Sequence, residues 1–333
     1  MGAPVGIDFS ALPALATSRA ASLALVEDLT ARLSAALTST AAVITVAAAG
    51  SLGRLEATGS SDFDGIVVIA DDAAEDPAEV VYAALTDSAL ALPKPWGIYR
   101  QGIRVGALCA PAARGALDET PTVFGKRIQF LLDTRPLYAP KPYVELQTRI
   151  LEWYSAPGLA SDPDRQWTLL INDLQRYLHA YAAWQQYKFE RDATDGWYLR
   201  QAKLRGSRLL TFAGLVLLLG ASSRQRDKPA WLLERLALTP FERVQAVMCA
   251  YDDTMFRCLA THYEAVHALL SEPANRAALA AQSPGCEADL PSVWPAPYAA
   301  IHRHGGQILR LLTHFVLARR GDWHPDFFGY LMF

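Results

Sequence analysis

Apolar residues recur at helical spacing early in the chain: Val26, Leu29, Leu33 and Leu37 share one side of a helix predicted over about 18–38. The pattern then changes. Residues 41–49 form a continuous apolar run with Val43, Ile44 and Val46, ending at Gly50, and read as a buried strand. A second strand rich in Ile and Val is predicted over 62–70, closed by Asp71-Asp72. Residues 77–92 read as helix. Residues 98–109 alternate enough for one or two strands, with Gly102 as a turn.

The character shifts after about 120. Helices are predicted over 123–132, 143–154, 166–191, 197–219, 240–270 and 299–319. Four prolines between 283 and 297 mark a loop. The aromatic tail, 323–333, is expected to dock on the body. The pattern predicts an α+β chain: a small domain of strands and helices over 1–120, followed by a helical domain over 121–333.

Composition narrows the function. The 333 residues carry 31 Lys and Arg against 34 Asp and Glu, so binding nucleic acid through bulk charge is disfavoured, while a local basic cleft stays open. Cys109, Cys249, Cys258 and Cys286 show no Cys-x-x-Cys spacing, which argues against zinc and fits a reducing compartment. The strongest apolar run, Leu209–Ala221, is shorter than the roughly 20 residues a bilayer span needs. No basic segment followed by an apolar run opens the chain. The expectation is a soluble, cytoplasmic protein with no membrane partner.

The chemistry is concentrated in Gly50-Ser51-Leu52-Gly53-Arg54-Leu55-Glu56 and Ser61-Asp62-Phe63-Asp64. Residues two apart on a strand share a face, so Asp62 and Asp64 project together while Phe63 points the other way. Like charges this close call for a cation, and Mg²⁺ is the usual partner of carboxylates beside phosphates. Gly50 and Ser51 fall where a strand meets a helical turn, and backbone N–H groups there can cradle a phosphate. Arg54, one turn on, pairs with either a phosphate oxygen or Glu56. A softer signal lies further along. Asn172, Asp173, Arg176, His179 and Lys188 fall in one patterned helix, and Arg200, Lys203 and Ser207 share a face of the next. These cations border a polar cleft or form an ordinary solvated stripe. His302 and His304 are expected at the surface.

The segment 41–70 resembles the nucleotidyltransferase superfamily: an apolar strand, Gly-Ser, a gap of about ten residues, then two acids alternating with apolar residues. The form Gly50-Ser51-x-Gly53-Arg54-x-Glu56…Ser61-Asp62-x-Asp64 is most similar to the bacterial branch of uridylyl- and adenylyltransferases. The resemblance implies a small mixed sheet with flanking helices over 1–120, a helical domain over 121–333 that binds substrate or nucleotide, and transfer of a nucleoside monophosphate, with AMP from ATP the first candidate, onto an acceptor hydroxyl with release of pyrophosphate. It implies two Mg²⁺ ions on Asp62 and Asp64 and phosphate contacts from Gly50, Ser51 and Arg54. Lys188, Arg200 and Lys203 would assist from the helical half. The acceptor would be a protein or small molecule, and less readily an RNA end.

The family commonly places a third acid on a later strand. Here that stretch, 98–106, carries none. Asp118, Glu119 or Asp173 substitutes for it, or turnover is weak or absent. The alternatives are therefore a nucleotide sensor on the same fold, or a toxin–antitoxin component acting on a partner protein or tRNA.

Overall fold

The computed structural model describes residues 6–38, 40–93, 99–155, 167–191, 196–225, 227–281 and 293–332. The chain is mixed α+β and divides into two compact units. One, the sheet unit, comprises Ser18–Leu170 and Ser222–Thr239. The other comprises Met1–Thr17, Ile171–Ala221 and Pro240–Phe333 and is helical among the described residues.

The sheet unit opens with α1 (Pro13–Ala36, of which it takes the part from Ser18 onward), β1 (Val43–Ala49), the single turn α2 (Gly50–Gly53), β2 (Asp64–Ile69) and α3 (Ala78–Ala84). It continues through β3 (Ile103–Arg104), α4 (Val105–Leu108), α5 (Pro121–Leu132), β4 (Arg135–Tyr138) and α6 (Pro140–Tyr154). The four strands lie in the order β3-β2-β1-β4. β1 is antiparallel to β2 and β4, and β2 is parallel to β3. Leu29, Leu33 and Leu37 pack with Phe63, Val67, Ile69, Val81 and Tyr82 in one core, so the heptad-like spacing of α1 supplies the lid of the sheet. α6 lies along β1 and β4 with α5 beside it.

This arrangement moves the sheet unit's boundary from the expected 120 to 170. β4 is the reason: it completes the sheet from beyond residue 120, and its four residues are too few for a periodic signal. Of the stretch 98–109, the described residues 99–109 hold a two-residue strand followed by a helical turn. That strand is anchored by side chains. Asp76 accepts from the Gly102 N–H at 2.9 Å, and Asp71 from the Gly106 N–H at 2.8 Å.

In the other unit, α7 (Thr168–Arg191, beginning at the end of the sheet unit) is followed by a continuous helix. That helix is α8 (Trp197–Lys203), a π-helical turn (Leu204–Arg208) and α9 (Leu209–Ser222). Its 26 residues exceed the apolar run seen in sequence and are long and apolar enough to cross a membrane. Yet 61% of its most apolar stretch is buried inside the protein, as in the core helices of soluble proteins. The short helix α10 (Lys228–Leu236) returns to the sheet unit.

The predicted helix 240–270 is two: α11 (Pro240–Met248) and α12 (Asp253–Ser271). The break is explained by Asp252, whose side chain accepts from the Met255 N–H and caps the second helix. α13 (Pro273–Ala281), α14 (Ala296–Ala318) and α15 (Pro325–Met332) complete the unit. The predicted loop over 283–297 falls largely outside the described residues. The aromatic tail docks as expected: Trp323 and Phe327 are buried, and the Trp323 ring lies over Gly220.

Candidate functional site

The site is built where β1 hands over to α2. Ala49 ends the strand in extended conformation, and Gly50 turns the chain with φ +65°, a region that suits glycine because it has no Cβ. The turn is closed by backbone bonds from the Arg54 N–H to the Gly50 carbonyl (3.1 Å) and from the Glu56 N–H to the Ser51 carbonyl (2.8 Å). Leu55 also sits at positive φ (61°), unusual for a side chain of its size. Gly53 is required by crowding: a Cβ there would collide with the carbonyls of Asp133 and Ala48. Beyond the turn, the Ala57 N–H donates to the buried Ser22 hydroxyl of α1 at 2.9 Å.

Antiparallel pairing brings the first acid to this turn. Ala49 pairs with Asp64, so Asp64 lies beside Gly50. A Cβ on Gly50 would stand 2.7 Å from Asp64 Oδ2. Asp62 precedes the strand in an isolated bridge to Ala91, with the Phe63 N–H donating to the Ala91 carbonyl at 2.8 Å. Asp62 is exposed, Phe63 buried and Asp64 half-buried. The predicted alternation is therefore present: Phe63 enters the core under α1 and α3 and its ring covers Gly65, leaving the carboxylates on the other side.

Arg54 does something other than expected. Its Nε donates to Glu56 at 2.8 Å and its Nη1 to Asp133 at 2.7 Å. All three side chains are buried, so the guanidinium fork is committed to bracing the turn against the α5–β4 junction. Phosphate contact by Arg54 is thus replaced by an internal ion pair. Asp133 was invisible to sequence reading because it lies 79 residues away with no local signal.

Buried polar groups continue along α5. Lys126 Nζ donates to the Gln101 carbonyl at 2.7 Å, and burial pushes its amine down to about 8, opposed by Asp76. Arg127 is held by Glu119 and lies 4.2 Å from the Trp153 ring centre. Tyr82 donates to the Tyr99 carbonyl. Burial raises its phenol, with Arg100 acting against and Asp76, Glu79 and Asp64 adding to the rise.

The third acid is not recovered. β3 carries none. Asp118 is exposed, Glu119 is engaged by Arg127, and Asp173 belongs to the helical unit, where it pairs with Arg176 at 2.9 Å. Among the described residues no group of three or more His, Cys, Asp or Glu side chains is arranged to hold a metal. Mg²⁺ beside a polyphosphate needs only one or two carboxylates, with phosphates and waters completing the shell. Asp62 and Asp64, two residues apart at the start of β2, supply the number of carboxylates that smaller demand calls for. A pair of ions held by protein alone would need more carboxylates than are gathered here.

Of the remaining predicted residues, Gly50 and Asp64 are brought together by strand pairing, with half-buried Ser51 and exposed Asp62 near them along the chain. Arg200 and Lys203 are half-buried on α8 of the helical unit. The Lys188 side chain lies outside the described residues. His302 and His304 are half-buried rather than at the surface. His304 Nδ1 lies 3.0 Å from His262 Nδ1 of α12, and the His302 ring centre is 4.4 Å from that of Trp294. Burial lowers both, aided by Arg205 at His302 and by His262 and Arg303 at His304.

Comparison of the chain with family models, characterised proteins and solved structures gives no significant match.

Proposed function

We propose that this chain is a Mg²⁺-dependent nucleotidyltransferase that moves a nucleoside monophosphate, AMP from ATP in the first instance, onto an acceptor hydroxyl with release of pyrophosphate. The observation that carries the reading is the juxtaposition of Gly50 and Asp64: a glycine at positive φ beginning a helical turn, with a carboxylate directly over it. A phosphate-binding turn and a cation-binding acid are thereby adjacent.

In this reading Gly50 admits a phosphate close to the backbone, and the N–H groups of the turn and the Ser51 hydroxyl hydrogen-bond its oxygens. Asp62 and Asp64 hold the cation. When bound, Mg²⁺ would neutralise charge on the triphosphate and favour the deprotonated acceptor hydroxyl. Arg54 keeps the turn in shape through Glu56 and Asp133 instead of touching phosphate. The acceptor is a protein side chain or a small molecule.

A second reading, a nucleotide sensor without turnover, is favoured by the acid-free β3. One experiment separates them: incubate the full chain with each α-labelled nucleoside triphosphate, Mg²⁺ and lysate from its own source. Label transferred to an acceptor by the wild type and lost in Asp64→Asn supports the enzyme. Tight nucleotide binding with no transfer supports the sensor. Transfer undiminished in the variant, or no nucleotide binding at all, overturns the site.

A further inference from the structure

We propose that the outer face of α14 binds the sugar–phosphate backbone of a nucleic acid. The starting point is charge segregation. Between 293 and 321 the chain has four Arg and three His and no Asp or Glu, although the whole protein has a net charge of −3. The mean charge therefore conceals one strongly basic element.

Helical geometry sorts that element into two faces. Tyr298, Ile301, Gly305, Ile308, Leu312 and Phe315 recur at three- and four-residue spacing and are buried. On the opposite arc, Arg303, Gln307, Arg310, His314 and Leu317 follow one another at the same spacing. Arg303, Arg310, His314 and Leu317 are exposed. Gly306 lies on this arc too, and nothing stands within 4 Å of where its Cβ would be.

Neither Arg303 nor Arg310 has an ion-pair or hydrogen-bond partner among the described residues, unlike Arg319, which holds Asp322 at 3.1 Å. From Arg303 to His314 the arc spans ~16 Å along the helix, roughly five base steps of ~3.4 Å.

Guanidinium groups bind phosphates in bidentate fashion, and Gln and His side chains supply the accompanying backbone contacts. A membrane surface would need a continuous apolar face, and the exposed side of α14 offers two separated leucines, Leu309 and Leu317. An acidic protein would need aromatic anchors at the centre of the contact, and the exposed arc carries none. A polyanion whose backbone repeats its charge needs neither. This inference is independent of nucleotidyl transfer at Asp64.

The test is fluorescence anisotropy of a labelled single-stranded RNA of about 20 nucleotides, titrated with the full chain across salt concentrations. The wild type is expected to bind at about 50 mM salt, with log affinity falling by ~1.4 or more per decade of salt, the share of two phosphate contacts. Arg303→Gln with Arg310→Gln should weaken binding at least ~10-fold and flatten that slope by about the same 1.4. Both sites are exposed, so the circular dichroism melt should not move. Arg303→Lys with Arg310→Lys keeps the charge and should retain the wild-type slope. Three results would each overturn the proposal: no wild-type binding at low salt, undiminished binding by the Gln variant, or equally tight binding of a labelled polyglutamate.

Discussion

The carboxylate of Asp64 occupies the space that a side chain on residue 50 would need, because Ala49 and Asp64 are direct partners across β1 and β2. The turn that could receive a phosphate and the acid that could hold a cation are thus fixed to each other by backbone pairing and do not depend on loop conformation. Strand register is set by which face is buried, so a slip by one residue would send Phe63 into solvent and the acids into the core.

Gly50→Ala should be costly twice over. It forces a Cβ into positive φ and to within 2.7 Å of Asp64 Oδ2. The strain alone should lower stability by about 1–2 kcal/mol. A urea melt measures that loss, and nucleotide binding should weaken with it because Asp64 is displaced. A variant as stable as wild type would mean that the turn relaxes freely.

On the proposed function, Asp64→Asn should leave the fold intact and reduce nucleotidyl transfer ~100-fold or more, as expected when a charged stabiliser of a phosphoryl group is removed. Asp62 is exposed and outside the strand, so Asp62→Asn should act on Mg²⁺ affinity more than on the rate at saturating Mg²⁺. Single-turnover labelling over a Mg²⁺ titration distinguishes the two effects.

Arg54→Met should be among the most damaging substitutions in the chain. It takes the shared cation away from the buried Glu56 and Asp133 carboxylates, and breaking a buried pair costs about 3–5 kcal/mol. Adding Glu56→Gln and Asp133→Asn should restore a large part of the loss. The urea midpoints of the single and triple variants check both halves; a triple variant no better than the single one would show that shape, not charge, is what the turn requires.

Lys126 makes stability depend on alkaline pH. Its folded amine sits at about 8, below the ordinary 10.5, so the unfolded chain binds more protons between those values. Stability should therefore rise as pH climbs from about 8 towards 10.5, with the penalty fully present below 8. The gain is at most on the order of 3 kcal/mol. Above pH 10 the raised phenol of Tyr82 acts in the opposite sense, since the unfolded chain then loses its proton first. The useful window is pH 8–10, where Lys126→Met should flatten the rise seen in wild-type melts.

The alternation of Asp62, Phe63 and Asp64 and the Gly-Ser turn after an apolar strand were legible from residues alone. Both depend on local rules: a two-residue period and the freedom of glycine. The same holds for α1, whose leucines recur at helical spacing and cover the sheet. Local rules cannot supply a partner from far along the chain. Arg54 reads equally well as a phosphate ligand or a brace until Asp133 arrives from 79 residues away. β4 is too short to announce itself, yet it closes the sheet and carries the unit boundary to 170. His304 meets His262 only because α12 and α14 pack together, and Glu119 is taken up by Arg127, a pairing that only the fold creates. The sequence by itself determined which residue types could do chemistry and which faces they share. Tertiary structure decided which of those charges are left for a ligand and which are already spent on one another, because a buried charge must find its counter-ion wherever the fold delivers it.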